Sequence, residues 1–390
     1  MRLLAPLLIV LSMSLLTACE PADPAKAMMA DYQQRLGNVL DAEPSPLSLP
    51  ALPSLPRKRE LIQPIADLRL GLLDAYELRQ CGLFNLIAER NSSLGKVADR
   101  FRQLDYELSF IRVAKQCLPQ VKDDSIQTAL NDAIVSKTQQ LPAVIWNTLI
   151  DSSAWQAQWS LPIHTLPVEL PAHSNAVSAM TQFGRLVQQP SSTHESILEW
   201  QESIEKQPIL GALFVSLTAH TDWLNQTSQL IADNQSKVLC GENFDTTRLE
   251  RLKTVFYKYY VGEVQPYLAR VDGLYRDVSP TLNQLASLET PPPFSAYKSA
   301  YWQGEAYTAY KQAIRHHADV WQQLFQRCNV TLASKCPAFT PRSLRKMVKN
   351  HQFDHQIAKQ TSMCKKVRSS ACVTQMNSLL FIPLSSTVRP

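Results

Sequence analysis

The sequence predicts an all-α fold, an elongated multi-helix bundle with proline-rich connectors, and three observations lead to that prediction. Only 10 of the 390 residues are glycine, whereas a share of about 7% is usual. Turns that need a positive φ are therefore few, which disfavours sandwiches, barrels and phosphate-binding loops. The 25 prolines cluster in a few stretches, and between them apolar residues recur at helical spacing. An apolar content of 45% suits a packed chain and not a disordered one.

Residues 1–18 have the pattern of a signal peptide. Arg2 precedes an apolar run, Leu3 to Leu15, that is too short to span a membrane. The next four residues, ending at Cys19, are Leu-Thr-Ala-Cys and resemble the lipobox of bacterial lipoproteins. That resemblance implies cleavage before Cys19, acyl chains such as palmitate on it, and a membrane anchor. Glu20, where an Asp would retain such proteins at the inner membrane, favours the periplasmic face of the outer membrane. The alternative is an ordinary secretory peptide with a chance cysteine.

Export would place the chain in an oxidising compartment, where disulfides form. Structural disulfides are predicted for most of the cysteines that follow the anchor: Cys81, Cys117, Cys240, Cys328, Cys336, Cys364 and Cys372. Their odd number leaves at least one unpaired within the chain. The formal net charge of +5 is too small to indicate a nucleic-acid partner, and the compartment argues against one.

Residues 19–64 are predicted to be the lipid anchor and a proline-rich linker or strap. A short amphipathic stretch surrounds Tyr32, and prolines then alternate with leucines over residues 43–64. As a polyproline II spacer, which rises about 3.1 Å per residue, this segment would hold the body away from the bilayer. As a strap, its leucines would instead lie flat on the body. The sequence leaves both interpretations open.

Residues 65–390 are predicted to form a helical domain. Its first two helices, with apolar faces over 68–87 and 101–118, are joined by a short loop and predict an antiparallel hairpin. Cys81 lies on the first helix and Cys117 at the end of the second, so a bridge between them is plausible without being forced.

Further helices are predicted where apolar residues recur every three or four positions: 126–141, 210–231, 249–260 and 296–326. Caps and prolines mark helix ends: the capping box Ser192–Glu195, Pro208, Asp245 and Pro291–Pro293. Prolines within residues 160–173 indicate a sub-boundary or a crossover.

The C-terminal segment 338–390 is basic, with nine basic residues and one acid, Asp354. It suits contact with lipopolysaccharide phosphates, anionic lipid or a partner protein. The alternative is a solvated helical face or pairing with acidic helices. On one helix Cys364 and Cys372 would lie about 12 Å apart, too far to bridge.

Those two cysteines would then need partners elsewhere, and Cys240, Cys328 and Cys336 are available. Cys328 and Cys336 can also bridge to each other if the residues between them form a loop. The sequence has no Cys-x-x-Cys or His-Glu-x-x-His spacing and no Gly-x-Ser-x-Gly, Walker or dinucleotide motif. No catalytic residue, metal or cofactor is therefore predicted.

Aromatic residues crowd two adjacent helical stretches: Tyr257, Tyr259, Tyr260, Tyr267, Tyr275, Tyr297, Tyr301, Trp302, Tyr307, Tyr310 and Trp321. Around a groove they would stack on glycans such as peptidoglycan or lipopolysaccharide sugars. The simpler interpretation is an aromatic helix–helix core, since several pairs lie three or four residues apart.

A polar cluster, Glu89, Arg90, Asn91 and Ser92, ends the first apolar helix and is the candidate binding site. The simpler interpretation is a helix end whose polar side chains fix the following loop. The stretch from Cys81 to Gly95 that contains this cluster resembles a bacterial lipoprotein family known as domain of unknown function 3080. The resemblance covers nearly the whole mature chain and implies no activity, ligand or catalytic residue.

The sequence therefore favours a membrane-anchored, non-catalytic binding or scaffold lipoprotein of the cell envelope. Its acyl chains would bind the membrane, and envelope proteins, peptidoglycan or lipopolysaccharide are the expected partners. A glycan- or lipid-processing enzyme is the alternative, and it would require acids such as Asp74, Glu77, Glu89 or Glu263 to converge in a cleft. A lipid or ligand carrier would require an apolar cavity.

Overall fold

The computed structural model describes residues 23–66, 78–190, 196–242 and 244–330, and their regular structure is entirely helical. The all-α prediction is confirmed. The signal peptide, Cys19, Glu20, the capping box, Cys336, Cys364, Cys372 and the basic segment 338–390 lie outside these residues. The helices are α1 (Pro24–Leu40), α2 (Lys58–Leu61), α3 (Leu83–Asn91), α4 (Ser93–Lys96), α5 (Arg100–Cys117), α6 (Asp124–Asp151), α7 (Ser153–Trp159), α8 (Ser174–Gln188), α9 (Leu198–Lys206), α10 (Leu210–Asn234), α11 (Thr247–Val255), α12 (Gln265–Ala286), α13 (Ser295–Tyr297) and α14 (Glu305–Arg327).

Several of these helices have a short polar residue at the N-cap position. Asp23 caps α1 by accepting the backbone N–H of Lys26, and Asp99 and Asp123 cap α5 and α6 in the same way. The predicted cap Asp245 accepts the backbone N–H of Thr247 at 2.9 Å, one residue outside the N-cap position. None of the helices in the described ranges is long and apolar enough to cross a bilayer.

The main core is built on helix–helix contacts, with α10 packed against α14 and α8 against α12. Rings fill its centre: Trp159 lies 5.0 Å from Trp155 and 5.4 Å from Trp302 between ring centroids. Most members of the predicted aromatic set are buried here: Tyr260, Tyr267, Tyr275, Tyr297, Tyr301, Trp302, Tyr310 and Trp321. For these residues the core interpretation is confirmed, and the expectation of a glycan-stacking platform is wrong because their faces are covered by other rings.

A smaller second core lies under α3, α5 and the first half of α6. Cys81 and Cys117 are bridged there, with Cα atoms 5.4 Å apart, as the sequence suggested. The helix predicted over 68–87 is interrupted, because residues 78–81 form a 3-10 turn and Gly82 has a φ of 79°. Residues 67–77 lie outside the described part of the chain.

A second disulfide joins Cys240, after α10, to Cys328 at the end of α14, with Cα atoms 5.1 Å apart. The sequence had left open a bridge between Cys328 and Cys336, and the structure instead pairs Cys328 with Cys240. Helices α10 and α14 pack against each other in the main core, which brings Cys240 near Cys328 although 88 residues separate them.

The helix predicted over 296–326 is broken in two. Residues Lys298–Trp302 form a π-helical turn, and Gly304 has a φ of 80° just before α14. A longer π-helical stretch, Phe256–Val264, joins α11 to α12 without interruption. Glycine is required at position 304 for two reasons. The positive φ disfavours any residue with a side chain, and a Cβ atom there would lie 2.7 Å from the hydroxyl of Tyr275.

The proline-rich segment 43–64 lies against the main core. Trp223 donates from Nε1 to the backbone carbonyl of Ser48 at 2.8 Å, and Trp146 donates to that of Leu61 at 2.7 Å. Helix α1 precedes this segment and is itself buried along Met29, Tyr32 and Leu36. The spacer interpretation is therefore wrong. Helix α1, which precedes the prolines, already belongs to the folded body, and the proline-rich segment lies along the surface of that body as a strap.

Residues 160–173, the expected boundary, run in an irregular path between α7 and α8. One continuous core joins the two sides, since Trp155 of α7 packs edge-on against Phe183 of α8 at 5.2 Å. Within the segment, Thr165 donates from its backbone N–H and its hydroxyl to the carboxylate of Asp23, both at 2.8 Å. These bonds fix the start of α1 to the body.

Candidate functional site

The candidate site is a groove of about 690 Å³ between the second core and the main core. It is lined by α3, α4, α5, α6 and the end of the strap: Ile65, Ala66, Ile87, Arg90, Asn91, Lys96, Arg100, Gln103, Tyr106, Glu107, Phe110, Ala133, Lys137 and Val144. A volume in the range of small-molecule sites, about 300–1,000 Å³, together with this mixed lining makes it the first candidate for ligand binding.

Helix α5 supplies one face of the groove. Its lining residues are Arg100, Gln103, Tyr106, Glu107 and Phe110, and each lies three or four positions from another of the set, so they share one side of the helix. That side changes from cationic to apolar over ten residues, which is about 15 Å of helix. The spacing was visible in the sequence, but a charged helix face is usually solvated, so nothing marked it as a site.

A partly buried ion pair lies in the lining of the groove. Lys137 of α6 donates from Nζ to both carboxylate oxygens of Glu107, at 2.9 and 2.7 Å, and their side chains are only 11% and 18% exposed. The same Nζ is 5.3 Å from the ring centroid of Tyr106 and 4.9 Å from that of Phe110. Burial, reinforced by the Glu107 carboxylate, raises the pKa of Tyr106. The phenol therefore stays protonated.

The predicted polar cluster is divided by the structure. Arg90 and Asn91 line the groove, and Arg90 stands 5.8 Å from the ring centroid of Tyr106. Its guanidinium also donates to the backbone carbonyl of Gly95, which fixes α4 beside the groove. Ser92 is the N-cap of α4, accepting the N–H of Gly95 at 3.0 Å. Glu89 is exposed and is not one of the residues that line this groove.

Arg100, at the start of α5, lines the groove at the N-terminal end of that helix. Its guanidinium bonds to Asp151 at 2.7 Å and to the side chain of Gln103 at 2.9 Å. Lys58 of α2 pairs with the same Asp151. On the far side of Arg100 a shallow second depression is lined by Arg57, Lys58, Arg59, Ile62, Pro64, Arg100 and Asp151.

The groove carries four cationic side chains, Arg90, Lys96, Arg100 and Lys137, and one carboxylate, that of Glu107. Lys96 is exposed, and its ammonium pairs with no carboxylate of the described residues. Cations held beside a low-dielectric wall attract anions, and guanidinium groups bind carboxylate and phosphate with paired hydrogen bonds. The arrangement is therefore suited to holding a negatively charged group.

The acids named for an enzyme site do not converge in the described part of the chain. Glu89 and Glu263 are both exposed on separate segments, and Asp74 and Glu77 lie outside the described residues. Among the residues that the structure covers, no group of His, Cys, Asp and Glu could hold a metal ion. Ser228 and Tyr32 flank His317, each at 2.9 Å, but this trio is buried in the main core, where no substrate reaches it.

A comparison with protein-family models matches most of the chain. A family model described as "Protein of unknown function (DUF3080)" matches residues 29–332, more than half of the 390-residue chain. No curated protein and no solved structure matches.

Proposed function

This chain belongs to the DUF3080 family of proteins of unknown function, and we propose that it is a lipid-anchored, non-catalytic binding protein of the cell envelope. The ligand site is the groove between α3, α5 and α6. The observation that carries this proposal is the excess of cations over carboxylates in a groove that also has an apolar wall. The ligand is accordingly anionic.

Two features support the anchor and the compartment. The Leu-Thr-Ala-Cys sequence ends at Cys19, and acylation there would hold the chain at the periplasmic face of the outer membrane. The Cys81–Cys117 and Cys240–Cys328 bridges suit an oxidising compartment.

The tether in this arrangement is short. Asp23, four residues after Cys19, is bonded to Thr165 of the body, and four residues reach at most about 14 Å. The protein would therefore lie directly on the bilayer surface, with the start of α1 toward the lipid.

The groups in the groove support binding over acid–base chemistry. Glu107 accepts both hydrogen bonds of the Lys137 ammonium, so its charge already has a partner. Arg100 is held by Asp151, and Arg90 by the carbonyl of Gly95. Cations whose positions are set beforehand lose little freedom when an anion arrives.

Anion binding is tested by titrating the protein with inorganic phosphate and with citrate at low and high salt. We expect binding that weakens as salt rises, and a Lys96→Gln variant that binds about twofold to fivefold more weakly. Lys206→Gln, which removes another exposed lysine from outside the groove, is the matched control. Equal affinity in all three proteins, or no binding, would contradict the groove as the site.

The anchor is tested separately by growing cells with labelled palmitate. The label should enter the wild-type protein and be lost with Cys19→Ala, and the variant should leave the membrane fraction. A Cys19→Ala protein that stays in the membrane would overturn the anchor and leave the groove proposal standing.

A further inference from the structure

We infer that the groove is one half of a longer anion-binding surface, and that its ligand carries two phosphate or carboxylate groups separated by an uncharged spacer. One group would lie in the groove and the other in the shallow depression on the far side of Arg100. This rests on the proposed function, in which the groove binds an anion, and it adds a second site and the spacing of the ligand's charges.

The first observation is that the groove and the depression adjoin. Arg100 lines both of them. The end of the strap also passes from one to the other, since Ile62 and Pro64 line the depression and the next two residues, Ile65 and Ala66, line the groove. The two sites are therefore neighbours on one surface, and a single extended ligand can reach both.

The second observation is the excess of positive charge along this surface. The two linings together contain seven cationic side chains and only two carboxylates, those of Glu107 and Asp151. In the rest of the described residues acids outnumber bases. The positive charge is therefore concentrated along the groove and the depression, where it attracts anions.

The third observation is which of these cations lack an anionic partner. Between the two sites, Asp151 accepts a hydrogen bond from Arg100 at 2.7 Å and also pairs with Lys58. On the groove side, the exposed Lys96 pairs with no carboxylate of the described residues. On the depression side, the same is true of the exposed Arg59. Unpaired cations therefore lie on both sides of a paired centre.

Two separated cationic sites favour a ligand with two separated negative charges. A small anion would pair with the free cation of one site and leave that of the other site in water. A ligand that reaches both sites binds its second group as an intramolecular event, at an effective concentration set by the spacer. A spacer too short to pass Arg100 would gain nothing from the second site.

The test is calorimetric titration of the mature chain carrying Cys19→Ala with alkane bisphosphonates, in which two, six or ten methylene groups join the two phosphonates. Inorganic phosphate and decylphosphonate, used below its micellar concentration, are the references with one anionic group. We expect the affinity to rise by at least about tenfold between the shortest and a longer bisphosphonate, because only the longer one reaches both sites. Decylphosphonate should show no such gain.

Two variants separate the second site from the groove. Arg59→Gln should weaken the longer bisphosphonate by about twofold to fivefold and leave inorganic phosphate unchanged. Lys96→Gln should weaken both probes by about the same factor. Arg251→Gln and Lys206→Gln, at exposed residues outside the groove and the depression, are the matched controls and should change neither affinity.

Each outcome decides between the two proposals. If the three bisphosphonates bind equally tightly, the second site is overturned and anion binding in the groove stands. The second site is also overturned if decylphosphonate binds as tightly as the longest bisphosphonate, or if Arg59→Gln leaves the longer bisphosphonate unaffected. If neither inorganic phosphate nor any bisphosphonate binds, the second site and the proposed function fail together.

Discussion

The hydroxyl of Tyr32 on α1 lies 2.9 Å from Nε2 of His317 on α14, and this bond ties the first described helix to the last across 285 residues. Trp321 donates from Nε1 to the same hydroxyl at 2.9 Å. Ser228 lies 2.9 Å from the other ring nitrogen and donates its own proton to the carbonyl of Leu224. The bonds fit together only if Tyr32 donates to Nε2 and Nδ1 carries the histidine proton. His317 is therefore neutral and fully bonded.

Removing the Tyr32 hydroxyl should destabilise the fold. Tyr32→Phe leaves the buried ring in place but takes one partner from His317 and one from Trp321. The Trp321 N–H also lies 3.2 Å from Nε2 of His317, so these two groups keep each other as partners, and we expect a loss of about 1–2 kcal/mol in urea unfolding, that of the lost hydrogen bonds. Tyr257→Phe, at an exposed tyrosine, is the control and should change little. A Tyr32→Phe protein as stable as the control would show that the network contributes nothing.

Stability should fall as the pH drops below about 6.5. Burial lowers the pKa of His317 to about 3, helped by the charge of His316. Burial lowers the pKa of His220 to about 4, against the opposing effects of its bond to Ser216 and of Asp23. Above pH 6.5 these histidines are neutral in both states. Between about pH 6.5 and 4 the unfolded chain binds about two protons that the folded chain does not, so the free energy of unfolding decreases as the pH falls.

The variant His220→Asn removes one of the two histidines, so its effect on the pH dependence of stability measures the contribution of His220 alone. Nδ1 of His220 faces the carbonyl of Ser216 at 2.8 Å, and an asparagine amide can make the same bond. We expect the slope of unfolding free energy against pH, between pH 4.5 and 6, to decrease by about 1.4 kcal/mol per pH unit, one proton's worth. His164→Asn, at an exposed histidine, is the control for losing an imidazole. An unchanged slope for His220→Asn would show that His220 takes up its proton in the folded state.

The sequence predicted the fold class and most of the helices, but only some of the residues that line the groove. Scarce glycine and clustered proline were enough for an all-α chain. Two glycines, Gly82 and Gly304, interrupt helices that the sequence predicted as continuous. Their positive φ values are set by tertiary contacts, which the local sequence pattern does not reveal. Arg90 was predicted from the polar cluster at its helix end. Lys137 and Glu107 were not, since they become a pair only when α5 packs on α6 across 30 residues.

Gly304 should tolerate no side chain. Gly304→Ala forces a positive φ on an L-residue and places a Cβ atom 2.7 Å from the Tyr275 hydroxyl, so we expect a loss of about 1–3 kcal/mol. Gly273→Ala is the matched control, since its Cβ would meet nothing closer than 4.0 Å in the middle of α12. That change should stabilise by about 0.5–1 kcal/mol. The two variants should therefore shift the melting temperature in opposite directions, and a shift in the same direction would contradict the close approach.

The two disulfides should stabilise different parts of the molecule. Replacing Cys81 and Cys117 by Ala removes a link across 36 residues, worth about 2–4 kcal/mol to the structure it closes. Hydrogen exchange should then become faster in α3, which packs in the second core. Replacing Cys240 and Cys328 by Ala should leave exchange in α3 unchanged and speed it at the ends of α10 and α14. Faster exchange throughout the chain in both double variants would mean that the two cores unfold as one unit.

The proposed acylation of Cys19, four residues before Asp23, predicts which end of α1 would meet the membrane. Ile163 is 70% exposed and lies two residues from Thr165, which is bonded to Asp23 at the start of α1. Leu239 is 47% exposed and lies two residues from Lys237, which is bonded to the carbonyl of Leu40 at its end. The 17 residues of α1 separate the two sites by about 25 Å.

A photoreactive amino acid placed at either site measures its contact with lipid in membranes. From the reach of the chain, residue 163 should stay within about 30 Å of an acylated Cys19, so we expect it to crosslink to lipid more strongly than residue 239. In a Cys19→Ala background the crosslinks from residue 163 should disappear, because without acyl chains nothing holds this end of α1 at the bilayer. Stronger crosslinking from residue 239 would contradict the orientation even if the protein is acylated, since Asp23 would then have to leave Thr165.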